Sequence, residues 1–307
     1  MAEARPFLPL LSPPGTPSHI AAFDFPVGNT RFQGQFVIVT LRDGLRIGVR
    51  DLGSDRSGTP VLMVHGFSGS SNSWGESLLA RLSAGRRLIA VDLPGHGASD
   101  IPAEPGRFAC AAIIADLADL LDTLEVGSAV WVGYSMGGRL ALGAGLFIPD
   151  RVSRLVLESA SPGLAMESER AERRSSDELL ARRIESNEIG SFVREWEQHP
   201  LFATQARLAP DVRAALRRRR MENCPAALAA CLRGLGTGMQ PSLWNALDHV
   251  SVPTLLIAGQ EDHKFVHTNE QMLEALPDAR LEVVPDAGHT VHLEQPDAWA
   301  SAVESFV

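Results

Sequence analysis

The residues around Ser135 constrain the fold more than any other part of the chain. Residues 130–139 read VWVGYSMGGR, so a short apolar run meets a helix-compatible run at a serine flanked by glycines. In a Gly-x-Ser-x-Gly pattern the glycines permit a sharp strand-to-helix turn that exposes the serine hydroxyl at the carboxyl edge of a sheet. Residues 129–132 fit a buried parallel strand, and residues 140–147 fit a buried helix. Ser135 is therefore a candidate nucleophile, although the same pattern also occurs in turns without chemistry.

Composition limits the class of protein. With 307 residues, 45% of them hydrophobic, the chain is long enough for one large core. Its apolar runs are shorter than the roughly 20 residues that cross a bilayer, and it opens with no secretory pattern, so we expect no membrane span and a cytoplasmic location. Three cysteines without a CxxC pair indicate neither a disulfide framework nor a cysteine zinc site. The net charge of −9 argues against general binding of nucleic acid.

Strand and helix patterns alternate along most of the chain. Residues 1–33 contain six prolines and no sustained periodicity, which predicts an extended or disordered arm before a domain of residues 34–307. An Asp-Gly pair at residues 43–44, between two alternating apolar runs, predicts an antiparallel hairpin. Buried strands follow, separated by helical spacing, and the first helix is expected to contain Trp74 and Leu78. These strands are predicted at residues 60–64, 88–91, 129–132, 154–157, 254–258 and 280–284.

The interval between the fourth and fifth of these strands has a different character. Residues 160–250 are rich in Arg, Glu and Trp and show helical candidates but no clear strand, so we predict a helical lid inserted in an α/β sheet. The α/β-hydrolase fold has this layout: a hairpin, alternating strands and helices, a helical insertion, and two final strand–helix units. Residues 36–307 resemble that fold. That fold has a mostly parallel central sheet flanked by helices.

In that fold an acid and a histidine follow the serine in chain order, each in a loop after a strand. Asp262 follows the strand that ends near residue 258, and His289 follows the strand that ends near residue 284. Gly288 permits a tight turn that presents His289 at the sheet edge. We therefore predict a Ser135, His289 and Asp262 triad.

Neighbouring residues are alternatives for the acid and the histidine. Glu261 and His263 flank Asp262, and His292 lies three residues after His289. We favour Asp262 and His289 over these neighbours. His292 in particular is expected to begin or cap the last helix at the surface. Two further histidines, His65 and His96, are expected to be structural loop residues.

A serine hydroxyl becomes a base or a nucleophile only when an oriented histidine takes its proton, and the carboxylate fixes the imidazole tautomer. Charge that develops on a substrate oxygen is stabilised by two backbone N–H groups in this fold. Here they belong to Met136, directly after the serine, and Phe67, in the loop after the first parallel strand. The side chain of Phe67 has no part in that role.

Several segments match the sequence pattern of one family. They are GYSMGGR (133–139), LESASPGL (157–164), Trp196 with PLF (200–202), GTGMQPSLW (236–244), EDHKF (261–265) and AGHTVH (287–292). The chain outside residues 1–33 thereby resembles the SHCHC synthases, which make 2-succinyl-6-hydroxy-2,4-cyclohexadiene-1-carboxylate in menaquinone or phylloquinone biosynthesis. They eliminate pyruvate from an enolpyruvyl precursor and consume no water. Because lids diverge with substrate, the matching lid segments discriminate between reactions on this fold.

The resemblance implies that the triad acts as a base. Ser135, activated by His289, would remove a proton from the α carbon of the succinyl side chain and trigger the loss of pyruvate. The substrate is a small molecule with several carboxylates, which arginine binds in bidentate fashion.

The arginines that match family positions are Arg139, four residues after the serine, and Arg174 and Arg220 in the lid. Arg139 is expected to project one helical turn along, near the nucleophile. The neighbours Arg173 and residues 217–219 leave the lid register open. Most other lid arginines are expected to be solvated surface charges.

Tyr134 and Trp196 are further candidates for substrate contact. Tyr134, the only tyrosine, either contacts the substrate through its hydroxyl or packs beneath the lid. Trp196 either covers the substrate ring or anchors the lid. No pattern indicates a metal, flavin or nucleotide site, and none indicates an oligomeric state. The alternatives to a synthase are a hydrolase of a carboxylic ester or carbon–carbon bond and a ligand-binding protein with an unused site.

Overall fold

The computed structural model describes residues 35–307, and the arm predicted for residues 1–33 lies outside them. The strands are β1 (Gln35–Thr40), β2 (Arg46–Leu52), β3 (Gly58–Val64), β4 (Arg86–Val91), β5 (Ala129–Tyr134), β6 (Val152–Glu158), β7 (Thr254–Gly259) and β8 (Ala279–Val284). They form one sheet in the order β1-β2-β4-β3-β5-β6-β7-β8. The pairs β1–β2 and β2–β4 are antiparallel, and the other neighbours are parallel. The hairpin and the later strands lie where the apolar runs predict them.

Helices connect the strands. They are α1 (Glu76–Leu82), α2 (Cys110–Thr123), α3 (Met136–Phe147), α4 (Glu167–Ser186), α5 (Ile189–Glu197), α6 (Pro210–Met221), α7 (Pro225–Leu235), α8 (His263–Ala275), α9 (Val291–Glu294) and α10 (Pro296–Phe306). Trp74 lies in a separate 3-10 turn, Ser71–Trp74, rather than in α1 as expected, because Gly75 at φ 75° interrupts the helix between them. Within residues 35–307 no helix combines the length and the apolar character that a bilayer crossing requires.

The sheet has an apolar core on each face. Along β3, Leu62 and Val64 join one cluster with α2 and α3, whereas Val61 and Met63 join a second cluster with α1 and α10. Successive strand residues point to opposite faces, so a strand covered on both faces needs a continuous apolar run. This is why the run at residues 60–64 predicted an interior strand.

The helices α4 to α7 lie between β6 and β7, in the interval of residues 160–250 that we call the lid. The lid has a small apolar core of its own, formed by Ala181, Ile184, Phe192, Val193, Leu228, Ala229 and Leu232. Its outer surface is charged, and Arg233 of α7 pairs with Glu178 and Glu185 of α4. This packing places the lid helices over the edge of the sheet that carries Ser135.

Candidate active site

Ser135 lies at the corner between β5 and α3, with a backbone conformation that L-residues rarely adopt (φ 51°, ψ −107°). Its N–H donates to the Glu158 carbonyl of β6 at 2.8 Å, which fastens the corner to the neighbouring strand. At Gly137 a Cβ would collide with the Val64 carbonyl oxygen, so only glycine lets α3 approach β3 this closely. Strained backbone of this kind persists where the surrounding structure fixes it, and it is typical of functional sites.

Three side chains form a hydrogen-bonded chain at the carboxyl ends of β5, β7 and β8. His289 Nε2 lies 3.1 Å from Ser135 Oγ, and His289 Nδ1 lies 2.6 Å from Asp262 Oδ2. Because a carboxylate only accepts hydrogen bonds, Nδ1 carries the proton and Nε2 is available to accept the serine proton. The other oxygen of Asp262 accepts the Phe265 N–H at 3.4 Å, at the start of α8. The arrangement is a relay that can take a proton from the Ser135 hydroxyl.

The alternative residues lie away from this relay. Glu261 and His263 are exposed, and Glu261 pairs with Arg207. His292 is buried, and its Nδ1 lies 2.8 Å from Glu158 Oε2. The expectation that His292 lies at the surface was wrong, because the last residue of β6 places a carboxylate beneath it through a contact distant in sequence.

Two backbone N–H groups lie near Ser135 at the same edge of the sheet. Val64 of β3 pairs with Gly133 of β5, and Phe67 and Met136 each lie three residues beyond that pair. Met136 opens α3, so its N–H has no acceptor within the helix. Among the described residues, neither N–H donates to another protein group. Both are therefore available to a ligand oxygen.

His65 fixes the loop that carries Phe67. Its Nδ1 donates to the Gly66 carbonyl at 2.7 Å, and its Nε2 accepts the Leu93 N–H at 3.0 Å. Burial lowers the pKa of His65 to about 4, so the ring is neutral at pH 7 and keeps this tautomer. His65 thus acts on backbone groups and takes no part in the relay.

Ser135 and His289 open into a cavity of about 870 Å³ beneath the lid. Small-molecule sites typically occupy about 300–1,000 Å³ and combine apolar walls with a few polar groups. Apolar atoms make up the larger part of the surface of this cavity, and polar and charged side chains share its lining. The cationic side chains that share it are Arg139, Arg173, Arg183 and Lys264, and the carboxylates are Glu169, Asp177 and Glu195. Asp177 pairs with Arg173 and Glu195 with Arg183, which leaves Arg139 and Lys264 as the cations of the lining without an ion-pair partner among residues 35–307.

Arg139 is buried, with 8% of its surface exposed. Its Nη1 donates to Gln240 Oε1 at 2.8 Å and its Nη2 to the Leu235 carbonyl at 2.9 Å. Burial lowers the pKa of its guanidinium. Burying a cation without an anionic partner is unfavourable, so a carboxylate of a bound ligand would offset that cost. The site therefore favours an anionic ligand.

The structure corrects the lid register assigned to Arg174. Arg174 Nη1 donates to the Gly238 carbonyl at 3.0 Å, its Nη2 pairs with Glu167 at 2.7 Å, and the residue does not line the cavity. Arg173 lines it instead, with its Nε held by Asp177 at 2.8 Å. Successive helical residues point about 100° apart, so an error of one position moves a side chain off the cavity face. Residue-by-residue matching alone does not resolve two adjacent arginines.

Arg220 lies beside the main cavity rather than in it. The residue is buried, lines an adjoining cavity of about 50 Å³, and stacks over the Phe202 ring at 5.3 Å. Its Nη2 donates to Gln205 Oε1 at 3.3 Å, and Gln205 Nε2 donates to Thr290 Oγ1 at 3.0 Å. Thr290 Oγ1 also bonds the Tyr134 hydroxyl at 2.8 Å. The Tyr134 hydroxyl is thus occupied by protein, although its ring lines the cavity.

Trp196 is both a lid anchor and a wall of the cavity. Its ring centroid lies 5.5 Å from those of Phe67, Phe192 and Phe202. These contacts join two lid segments to the loop after β3, and the indole lines the main cavity with them. The two readings of Trp196 left open by the sequence are therefore compatible.

Lys264 lines the cavity and was missed by the sequence analysis. It is the only lysine of the chain, lies in the first turn of α8 and is exposed. Its position two residues after Asp262 is the sequence signal that could have placed it near the triad. In the part of the chain that the structure describes, no group of three His, Cys, Asp or Glu side chains is arranged to bind a metal ion.

Known proteins share this architecture. The family model of the alpha/beta hydrolase fold matches residues 59–296. A Bacillus subtilis protein provisionally named 2-succinyl-6-hydroxy-2,4-cyclohexadiene-1-carboxylate synthase is 43% identical over 271 residues, which cover 88% of this chain and 98% of that protein. The chain belongs to the SHCHC synthase family of the α/β-hydrolase superfamily.

Two further members of the SHCHC synthase family support this assignment. The 2-succinyl-6-hydroxy-2,4-cyclohexadiene-1-carboxylate synthase of Serratia proteamaculans is 31% identical, over 80% of this chain and 92% of that protein. The solved structure of MenH from S. aureus superposes with a TM-score of 0.80 at 31% identity and covers 84% of this chain and 97% of that one. These matches confirm the predicted fold class and the family resemblance, and they make the chain an enzyme.

Proposed function

We propose that the protein is a lyase that forms SHCHC and pyruvate from an enolpyruvyl succinyl-cyclohexene carboxylate (SEPHCHC) in menaquinone biosynthesis. One observation carries the proposal: the Ser135, His289 and Asp262 relay opens into a lid-covered cavity in which Arg139 is buried with no acidic partner among residues 35–307. The relay supplies a base, and the cavity supplies cations for a substrate with several carboxylates. The names of the relatives agree with this chemistry.

The product's two double bonds determine which proton leaves. A 2,4-diene with the succinyl group on ring carbon 2 requires loss of the proton from that ring carbon, which is α to the succinyl carbonyl, and not from a carbon within the succinyl side chain. His289 Nε2 accepts the Ser135 proton while Ser135 Oγ takes the carbon proton. The elimination balances when the substrate ring has its double bond at C3=C4 and the enolpyruvyl oxygen on C5. The C2–H electrons then form C2=C3, the C3=C4 pair moves to C4=C5, and the C5–O bond breaks. Pyruvate leaves as its enolate, because the electrons of the C5–O bond stay on oxygen. The enolate takes the proton held by His289 at its methylene carbon and becomes the ketone, which returns the relay to its starting state.

The oxyanion donors serve this elimination without an acyl intermediate. Removing a proton α to a ketone places negative charge on the ketone oxygen. The N–H groups of Phe67 and Met136 are available for that oxygen, and preorganised donors at developing charge are commonly the largest electrostatic contribution to catalysis. Asp262 stabilises the imidazolium that forms on His289. Tyr134, Trp196 and Arg220 are proposed to shape the lid side of the site.

Pyruvate release distinguishes the proposal from its alternatives. We expect the purified protein to release pyruvate from SEPHCHC, followed with lactate dehydrogenase and NADH, and to hydrolyse an aryl ester slowly. Rapid ester cleavage without pyruvate release would support a hydrolase. A menaquinone phenotype that survives Ser135→Ala would support a ligand-binding protein. A cytoplasmic location completes the proposal and suits the three free cysteines.

Arginine substitutions test the carboxylate sites. We expect Arg139→Lys and Arg173→Lys each to lower kcat/KM by about 10- to 100-fold, because lysine lacks the planar fork and a lost charged hydrogen bond costs roughly 1.5–3 kcal/mol. Arg174→Lys is a matched control one position away, since Arg174 faces Glu167 outside the cavity. It should change kcat/KM less than about twofold, as should the exposed Arg182→Lys.

These variants are compared at low and moderate salt, because contacts made by exposed charges weaken with ionic strength more than those of buried charges. Equal small effects on kcat/KM in all four variants would show that these arginines do not bind the substrate carboxylates. A loss at Arg174 that matches the loss at Arg173 would instead reverse the register that the structure gives.

A further inference from the structure

Glu294 bonds the backbone on both sides of His289. Its Oε2 accepts the Gly288 N–H at 2.9 Å, and its Oε1 accepts the Thr290 N–H at 3.1 Å. Glu294 is the last residue of α9, five positions after the histidine. One carboxylate therefore spans the loop that connects β8 to α9 at the point where the loop presents its imidazole.

The loop needs such a restraint. Gly288 has the least restricted backbone of any residue type, and Asp286 before it has a positive φ of 54°. The Thr290 N–H belongs to the peptide that follows His289, so fixing it limits the backbone rotation that would swing the imidazole. The imidazole must meet Ser135 Oγ and Asp262 Oδ2 at the same time.

The Glu294 carboxylate is not committed to a cation. Among residues 35–307 it forms no ion pair, and both of its oxygens are used on backbone N–H groups. Hydrogen bonds from N–H groups to a carboxylate are shorter and stronger than those to neutral acceptors. Further along the same segment, the His292 N–H also donates to a carboxylate, that of Glu158, at 3.1 Å. Glu294 and Glu158 thus restrain the segment from opposite ends.

We infer that Glu294 is a positioning residue for the reaction: its two hydrogen bonds keep His289 in line with Ser135. It touches neither the reacting atoms nor the cavity, so it acts through the histidine. The inference rests on the proposed function, because that function supplies the reaction to be assayed. The restraint itself acts on the relay whichever substrate is bound. Misplacing a catalytic group by about 1 Å can cost about 100-fold in rate.

The test compares Glu294→Gln, Glu294→Asp and Asp297→Asn. Glutamine keeps one acceptor oxygen but turns an NH2 group toward the other backbone N–H, which needs an acceptor. Aspartate keeps both carboxylate oxygens on a side chain that is shorter by one methylene. Asp297 is a matched control, because it is an acidic residue only three positions after Glu294. Its carboxylate is exposed and pairs with Arg81 at 3.4 Å. For each variant we would measure kcat and KM for pyruvate release, the rate at which an aryl phosphonate labels Ser135, and thermal unfolding.

For Glu294→Gln we expect kcat and the labelling rate to fall by about 10- to 100-fold with KM within about twofold, at temperatures where the variant is folded. Glu294→Asp should recover part of both rates, and Asp297→Asn should match the parent.

Unchanged kcat and labelling in folded Glu294→Gln would overturn the inference, as would a loss confined to KM. If Glu294→Gln does not fold, Glu294→Asp decides: parental rates would overturn the inference, and lowered rates with parental KM would support it. Failure of the parent to release pyruvate would refute the proposed function only, because phosphonate labelling still reports on the relay.

Discussion

Replacing Ser135 with alanine reduces kcat for pyruvate release by at least about 1,000-fold and leaves the fold intact, because the variant retains the cavity and loses only the oxygen that takes the proton. His289→Ala has a loss of the same order, since without the imidazole the serine hydroxyl is a weak base at neutral pH. The double variant should be hardly worse than either single one, because residues that act as a unit are strongly non-additive. Single-turnover pyruvate release measures all three, and circular dichroism checks the fold.

Asp262→Asn is the informative control for this prediction. An asparagine that donates to His289 Nδ1 stabilises the tautomer with its proton on Nε2, which cannot take a proton from Ser135. We expect a loss of about 1,000-fold or more even though the side chain keeps its shape. If Asp262→Asn or Ser135→Ala retained more than about a tenth of the parental kcat, a different base would have to be sought in the cavity.

Hydrophobic periodicity was sufficient to predict most of the fold. The apolar runs at residues 60–64 and 129–132 became interior strands because both faces of the sheet are covered, a condition that leaves a continuous signal in the sequence. The geometry around Ser135 also followed from local residues, since only glycine fits at Gly137. The positions of Asp262 and His289 followed from chain order and from the loops that come after β7 and β8.

What sequence reasoning missed depends on helix rotation and on contacts between distant segments. Arg173 and Arg174 are both polar, adjacent and helical, so only the packing of α4 shows which one faces the cavity. The partner of His292 is 134 residues away in the chain. Glu294 bonds two backbone N–H groups, a role that no side-chain pattern reveals. Each of these features requires coordinates.

The pair formed by His292 and Glu158 gives the second large prediction. Glu158 is fully buried, and its carboxylate accepts both the backbone N–H and the Nδ1–H of His292. The His292 ring also packs against Trp74 and Tyr134, with centroids 4.6 and 4.9 Å away. His292→Ala leaves the carboxylate buried with one donor and opens a void. Breaking a buried pair costs about 3–5 kcal/mol, so we expect the free energy of unfolding in urea to fall by that amount.

A double-mutant cycle separates the pair from general packing. Glu158→Leu and His292→Leu should each be destabilising, but the variant that combines them should recover much of the loss, because a buried polar pair can often be replaced by apolar residues of similar volume. Since His292 does not contact Ser135 or His289 through a hydrogen bond, kcat per folded molecule in His292→Ala should stay within about tenfold of the parent, far from the loss in His289→Ala. Single variants that unfold within about 1 kcal/mol of the parent would show that the pair is dispensable for stability. A loss of kcat in folded His292→Ala equal to that of His289→Ala would instead place His292 in the relay.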